Sequence, residues 1–504
     1  MEKYELCVIG GGPAGYSAAM RAMDFKKKTI LIEKEKIGGA GLYNGAFQSK
    51  AMWELAKDVA TTRQKMVKLS SFDNFQYRYK DVQKELNSAV NERAHQLEKH
   101  LDLLTTDDEY KDLFTLSYGT GRFLSKNEVE ITATDGTKKV IWAEHIILAT
   151  GSRPRYLPNI PIDEKIIVTS DGVHKWDRLP DSMVILGAGV IGCEYATIFS
   201  NLGRTKVFLI DKAPRILPFE DEDIVNVIES NLEGNGVTIH RNSKLLRMEI
   251  VNGEVEYELE YESGEKKVYQ VEKALVSVGR VPNTENIGIE KTGIELTERG
   301  HIEDDDTQTM IPNIYAVGDI TADMSLVNVG ELEGRHATRL IFNPSGKKVT
   351  YDNVSTIMFL KPEVAGVGLN EIEAQKKGIC YKVVRIDYSS IPRALAMGVK
   401  QGFFKILVTN DAEMKILGMR ALGTHASSAI QAVALLIQMN KGIAALSDMI
   451  YPHPSIVEGI RECARCLLGK PVFKPRLFKE IITMGEFGED GKYKDLSHEI
   501  KEVC

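Results

Sequence analysis

Cysteine is scarce in this chain, with six in 504 residues, at positions 7, 193, 380, 463, 466 and 504. Such a scatter excludes a disulfide framework, and no cysteine at all stands between Cys7 and Cys193. No apolar run approaches the roughly 18 residues that would cross a bilayer. The first strand opens at once, at Tyr4-Glu5-Leu6-Cys7-Val8-Ile9, so neither a signal peptide nor a membrane span is expected, and the expected location is cytoplasmic. A basic excess is missing too: 64 Lys and Arg face 71 Asp and Glu, for a net charge of −7. That balance argues against nucleic acid or an anionic membrane as main partner. The one basic run, Lys26-Lys27-Lys28, reads as a solvated turn between helix and strand. What remains is 43% hydrophobic and 27% charged, a globular composition with length for roughly three domains.

The strongest positive signal is a unit that occurs twice. Residues 4–33 read as strand (Leu6 to Ile9), Gly10-Gly11-Gly12-Pro13-Ala14-Gly15, helix (Tyr16 to Ala22), strand (Thr29 to Ile32) and an acid, Glu33. Residues 182–211 repeat the order: Met183 to Leu186, Gly187-Ala188-Gly189-Val190-Ile191-Gly192, Cys193 to Leu202, Val207 to Ile210, then Asp211. The acids stand 18 and 19 residues beyond the third glycines. A lone G-x-G-x-x-G is weak evidence, whereas the complete strand–turn–helix–strand–acid unit is a dinucleotide-binding fingerprint. The first glycine allows the tight turn, the second lets backbone approach a pyrophosphate, and the third lets helix and strand pack. The helix N-terminus then offers unpaired N–H groups to the phosphates, and the acid accepts hydrogen bonds from ribose hydroxyls. Two such sites in one chain suggest hydride passing between two cofactors.

Elsewhere, 51–105 is helical in pattern and 113–150 and 245–280 are strand-rich, with alternation along Glu254-Val255-Glu256-Tyr257-Glu258-Leu259. The stretch 353–420 favours strands, and 426–440 and 455–468 read as helices. The segment from Lys470 to Cys504 is polar, with Gly485, Gly488 and Gly491, and reads as an appended surface extension.

These motifs resemble the pyridine nucleotide–disulfide oxidoreductases, closest to dihydrolipoamide dehydrogenase and the soluble pyridine nucleotide transhydrogenase. The resemblance spans residue 4 to about 470. Besides the two fingerprints it includes Ala149-Thr150-Gly151, Gly279-Arg280-Val281-Pro282-Asn283, Asn313-Ile314-Tyr315-Ala316-Val317-Gly318-Asp319, and His453-Pro454-Ser455 with Glu458. It implies an α/β fold with two Rossmann-like domains and a C-terminal α+β dimerisation domain. The implied division is 1–150 with 280–350 for FAD, 151–279 for NAD(P), 351–470 for dimerisation and 471–504 as the polar extension. FAD would be held by Gly10, Gly12, Pro13, Ala14, Gly15, Glu33, Gly39, Lys50, Ala149, Thr150, Gly151 and Asp319, the last on the ribitol. NAD would be held by Gly187, Gly189, Ile191, Gly192, Glu194, Asp211 and Gly279. NAD is favoured because Asp211 would repel a 2′-phosphate, with NADP tolerated through Arg204, Lys212 and Arg215. Lys50–Glu194 resembles the family's pair at the reactive edge of the flavin, and His453–Glu458 its acid–base dyad. A homodimer is implied; no metal is expected.

One feature departs from the family. Its C-x4-C pair, followed by Pro-Ser-Lys, aligns with Gly41-Leu42-Tyr43-Asn44-Gly45-Ala46-Phe47-Gln48-Ser49-Lys50. Gly41 and Ala46 take the cysteine positions, and neither forms the thiolate that attacks a disulfide. Of the other cysteines, Cys7 reads as a small buried hydrophobe and Cys193, at a helix N-terminus, as a packing residue. Cys463 and Cys466 read as core thiols on one helical face, the alternative being a relay with Cys504. The resulting expectation is an NAD(P)H-dependent FAD oxidoreductase serving a small non-disulfide acceptor such as a quinone, dye, oxygen or metal complex, with two lost sulfurs leaving space that Tyr43 and Asn44 line. A transhydrogenase is the alternative within the enzyme class. A non-catalytic FAD/NAD redox sensor is the alternative of another class.

Overall fold

The structure is a computed structural model, described here over residues 1–69, 76–344 and 346–497. Two compact units form: Met1–Gly187 with Asn201–Thr205 and Leu245–Val349, and Ala188–Ser200 with Lys206–Lys244 and the chain from Thr350.

In the first unit, a seven-stranded sheet runs Phe114–Tyr118, β2 (Thr29–Glu33), β1 (Glu2–Ile9), Lys138–Leu148, Glu128–Thr132, Thr120–Phe123, with Ile314–Ala316 also on Lys138–Leu148. β1 is parallel to both neighbours. Its Leu6, Cys7 and Val8 are completely buried, as are Ile30 and Leu31 of β2, because parallel strands covered on both faces read as unbroken apolar runs. Helix α1 (Pro13–Asp24) lies against helix Val327–Phe342 through small residues. A side chain at Gly334 would run into the Ala14 carbonyl, and Thr338 Oγ1 donates to Ala18 O at 3.0 Å. α1 starts at Pro13, three residues before the expected Tyr16, since proline is well tolerated in a first turn.

The short helix α2 (Gly39–Leu42) precedes α3 (Ala46–Leu69) and α4 (Tyr79–Thr106), which account for the expected helical stretch. α4 buries Val82, Leu86, Val90, Ala94, Leu101 and Leu104, an apolar stripe at helical spacing. Ser182–Leu186 and Ile167–Val168 flank Lys273–Val276 in parallel. Along Glu254–Tyr261 the alternation holds, with Val255, Tyr257 and Leu259 buried.

The second unit takes helix Val190–Leu202 up to Ser200, and strand Lys206–Ile210, which is parallel to Thr238–His240. An antiparallel sheet follows in the order Ser355–Met358, Val364–Gly368, Ile416–Leu422, Phe403–Thr409, Tyr381–Asp387, Ile482–Phe487, Tyr493–Asp495. The division runs through the expected 151–279 segment, and a buried ionic cluster explains why 206–244 belongs with this sheet. Lys405, 2% exposed, pairs with Asp221 and Asp223 at 2.7 Å and with Glu371 at 2.9 Å. Burial pushes the Lys405 ammonium toward neutrality, but these three carboxylates outweigh it and hold its pKa above the ordinary lysine range. Arg420 pairs with Glu220 at 3.1 Å, and Asn370 Nδ2 donates to Phe219 O at 2.9 Å.

The tail corrects an expectation. Over its described part, 471–497, it is more than an appended surface segment: Ile482–Phe487 adds to the sheet beside Tyr381–Asp387, with Ile482 and Met484 in its core. Its glycines disguised the strand; at Gly485 the Tyr493 ring packs directly on the bare backbone.

Candidate functional site

The two glycine turns are built alike. Gly10 and Gly187 sit at φ of +109° and +102°, where L side chains are strained. A Cβ on Gly10 would strike the Ala149 carbonyl, and one on Gly187 would lie 2.6 Å from Ser277 O. Gly15 likewise has no room, because the Gly10 carbonyl fills the place of its side chain. The middle glycines differ. Gly12 has an ordinary φ of −69°, and neither Gly12 nor Gly189 has any atom within 4 Å of a Cβ placed on it. The fold does not require glycine at these two positions, and the bare backbone leaves room for a phosphate group on the helix N-terminus. No acid stands in the first turn of either following helix. The residues therefore fit a dinucleotide in each turn.

Each terminal acid makes two backbone contacts that sequence reasoning missed. Glu33 accepts from Gly11 N at 2.6 Å and from Glu35 N at 2.7 Å. Asp211 accepts from Ala188 N at 2.8 Å and from Ala213 N at 2.9 Å. In both copies the acid clamps the residue after the first glycine and the residue two places beyond itself. A carboxylate has about four acceptor sites, so ribose hydroxyls can still be bound.

Three separate motifs of the first unit converge. Asn283 Nδ2 donates to Thr150 O, and Thr150 Oγ1 donates to Asn283 O, both at 2.8 Å. Ser152–Pro154 and Arg280–Pro282 form a short antiparallel pair. Arg280 Nε donates to Ser152 Oγ at 2.8 Å, and Ser152 Oγ donates to Asp319 Oδ2 at 2.6 Å. Asp319 is thus aimed by a serine–arginine relay, while Gly318 N is held by the buried Glu333 at 2.7 Å. Neither Ser152 nor Glu333 carried a sequence signal beyond its neighbouring motif. Gly151, at φ +67°, and Gly279, at +102°, have open space where side chains would stand.

The segment 38–50 lies on the first glycine turn. Gly38 N donates to Gly11 O at 2.9 Å, and a Cβ on Gly39 would be 3.3 Å from Gly12 Cα. At Gly41 a Cβ would stand 2.5 Å from Pro13 Cγ and 3.6 Å from Val327 Cγ2. A side chain at 41 would therefore begin against the proline ring. Tyr43, expected to line a cavity, has its ring under the Lys36 ammonium, 4.9 Å from the centroid. Ser49 is buried and donates to Gly45 O at 2.7 Å, with Lys50 Nζ 3.4 Å from its Oγ. In the second unit Glu194 is buried and accepts from Phe359 N at 3.0 Å.

His453 and Glu458 are brought together. His453 Nδ1 lies 3.1 Å from both Glu458 oxygens, with the imidazole 68% exposed and the carboxylate 11%. Burial pushes the Glu458 carboxyl up, but the Ser455 N–H, His453 and Arg461 together hold it below the usual range. Being ionised, Glu458 can only accept, so Nδ1 carries the proton. Cys463 and Cys466 are free and buried in the sheet–helix core. Cys193 is buried as well, its Sγ donating to Ala188 O at 3.4 Å; burial raises its pKa, the reverse of activation at a helix N-terminus. Cys504 lies outside the described residues. Among the described residues no cluster of three metal-ligating side chains occurs, and no helix is long and apolar enough to cross a membrane.

A chain with two such turns and an antiparallel C-terminal sheet is a two-dinucleotide flavin oxidoreductase. It belongs to the pyridine nucleotide-disulphide oxidoreductase family, which it matches over residues 4–334, and carries that family's dimerisation domain over residues 354–464. The family uses FAD and NAD(P)H. Among its relatives, the dihydrolipoyl dehydrogenase of Chlamydia muridarum is 34% identical over 479 residues, covering 94% of this chain and 99% of that one. That of Bacillus subtilis is 33% identical over 488 residues, covering 93% and 99%. The HOCl-induced flavoprotein disulfide reductase RclA from Escherichia coli, solved as a Cu(II) complex, superposes with a TM-score of 0.80 at 26% identity, covering 93% of this chain and 100% of that one. LpdA from Mycobacterium tuberculosis shares the fold with a TM-score of 0.84 at 23% identity, covering 93% and 100%.

Proposed function

We propose that this chain oxidises NADH, with NADPH tolerated, and delivers the electrons to a small acceptor that is not a disulfide. The observation that carries the reading is Gly41. It aligns with one family cysteine and Ala46 with the other, no cysteine stands between positions 7 and 193, and Pro13 fills the side-chain space at 41. Bound FAD supplies the two-electron chemistry that joins nicotinamide to acceptor. The chain's residues do the rest. Gly10 to Gly15 with Glu33, Gly39, Ala149-Thr150-Gly151 and Asp319 hold that cofactor. Gly187 to Gly192, Asp211 and Gly279 hold the nicotinamide dinucleotide. Lys50 places a positive charge where added electrons need one. His453, with Nδ1 engaged by Glu458, offers Nε2 to protonate the reduced acceptor. The protein acts as a homodimer.

The test is anaerobic reduction of the purified holoprotein by NADH, followed by an acceptor panel. Rapid bleaching of the flavin absorbance is expected, then reoxidation by a quinone, a dye or a second nicotinamide, with no turnover of lipoamide. Robust lipoamide reduction sinks the proposal. Failure of NADH to bleach the flavin leaves the redox-sensor reading standing. Reoxidation by the second nicotinamide alone makes the chain a transhydrogenase.

A further inference from the structure

Glu458 opens helix Glu458–Leu467, and its carboxylate is shared. Oε2 accepts from Ser455 N at 3.0 Å, and Oε1 accepts from Arg461 Nη2 at 3.1 Å. His453 Nδ1 lies 3.1 Å from each oxygen. Arg461 stands one turn further along the same helix, with its guanidinium 5.4 Å from the centre of the Tyr451 ring. Tyr451 is itself buried and fixed, donating to Leu446 O at 3.1 Å. The carboxylate is therefore clamped at both oxygens by groups other than the imidazole, and an arginine never loses its charge.

We infer that Arg461 is a positioning residue: resting on Tyr451 and gripping Oε1, it fixes the Glu458 carboxylate so that it always accepts the hydrogen bond from His453 Nδ1–H, leaving Nε2 as the exchanging nitrogen. This rests on the reading of His453 as the proton donor to the acceptor. The physical need is clear. The imidazole is mostly exposed, so solvent would otherwise satisfy either nitrogen and the tautomer would drift. Glu458 alone is a side chain with three rotatable bonds; with Ser455 N and Arg461 attached it has one orientation, and that orientation is passed on to the ring. Three other cations, on this helix and on strands packed against it, are committed elsewhere. Lys405 is held by Asp221, Asp223 and Glu371, Arg385 pairs with Asp387 at 3.8 Å, and Arg465 with Glu462 at 3.6 Å.

The experiment is nitrogen-15 NMR of the histidine side chains in the holoprotein, with His453 assigned by its loss in His453→Gln. In the native protein the proton on the neutral ring is expected on Nδ1. In Arg461→Met and Arg461→Gln the Nε2–H form should gain at least about twofold in population, whereas Arg461→Lys, which keeps a cation, should restore most of the native ratio. Turnover with the acceptor should fall several-fold in kcat with little change in the KM for NADH. An unchanged tautomer ratio in both neutral variants overturns the inference; because two variants and a conservative one are read, misfolding of a single variant does not decide it. The function reading fails separately: full acceptor turnover in His453→Gln removes the proton-donor role, while the tautomer ratio still judges Arg461.

Discussion

Glycines carry the decisive residue-scale arguments in this molecule, and they are of two kinds. Gly10 is required by the fold, since its φ is +109° and a methyl there meets the Ala149 carbonyl; Gly12 is not, since nothing lies within 4 Å. Gly10→Ala should therefore cost on the order of 1–3 kcal/mol in the unfolding free energy of the protein stripped of flavin. Gly12→Ala should leave that stability within about 0.5 kcal/mol yet weaken FAD retention strongly. Equal effects on both properties in the two variants would falsify the assignment of Gly12 to a cofactor phosphate. At Gly41 the constraint is side-chain packing alone, without a positive φ. A helical glycine replaced by a larger residue gains roughly 0.5–1 kcal/mol of backbone entropy, but overpacking against the Pro13 ring 2.5 Å away costs about 1–3 kcal/mol. Gly41→Cys with Ala46→Cys should thus be less stable in urea and should not acquire lipoamide turnover. Glu458 makes a pH prediction. Its folded pKa is depressed, so its contribution is present above the unfolded value of about 4.3 and is lost as pH falls through the folded one. Glu458→Gln should be less stable than native protein at pH 7, and the gap should narrow under acid; a gap that widens below pH 4 contradicts this.

At the scale of elements, one local pattern misled, while another that invited the opposite mistake was read as the structure has it. The polar tail concealed strand Ile482–Phe487, because one apolar side chain at every second position gives little signal among glycines and charges. Burial decides it. Ile482 is fully inaccessible within the core of the second unit, so Ile482→Ala should cost about 2–4 kcal/mol in denaturant unfolding. A change below about 0.5 kcal/mol would mean the segment is the surface extension its composition suggests. Cys463 and Cys466 invite the reverse error. Their spacing suggests chemistry, yet both face the sheet from helix Glu458–Leu467 as buried thiols, and burial holds both pKa values above the ordinary thiol range. The long helices α3 and α4 were readable because an apolar stripe at helical spacing is a strong, local signal.

For the whole molecule, the match to a dimerisation domain over 354–464 predicts a particle of twice 56.2 kDa by sedimentation at micromolar concentration. A monomer there would leave the C-terminal sheet with no dimer to make. Much of the design was set by sequence alone. The two glycine turns with their acids, the strand–helix alternation around them, and the pairing of His453 with Glu458 depend on spacing and on backbone rules that act within some thirty residues. Other features had no such signature. That Ser152 and Arg280 aim Asp319, that Arg461 shares the Glu458 carboxylate, that Lys405 sits among three acids, and that Pro13 fills the place of a side chain at 41 are contacts that only folding creates. The physical reason is range. Conformational preference is written in neighbouring residues, whereas packing and charge pairing are settled by whichever distant groups the backbone brings within a few ångströms. Sequence shows glycine at 41 and alanine at 46; only the tertiary structure shows that a side chain at 41 would begin 2.5 Å from the Pro13 ring.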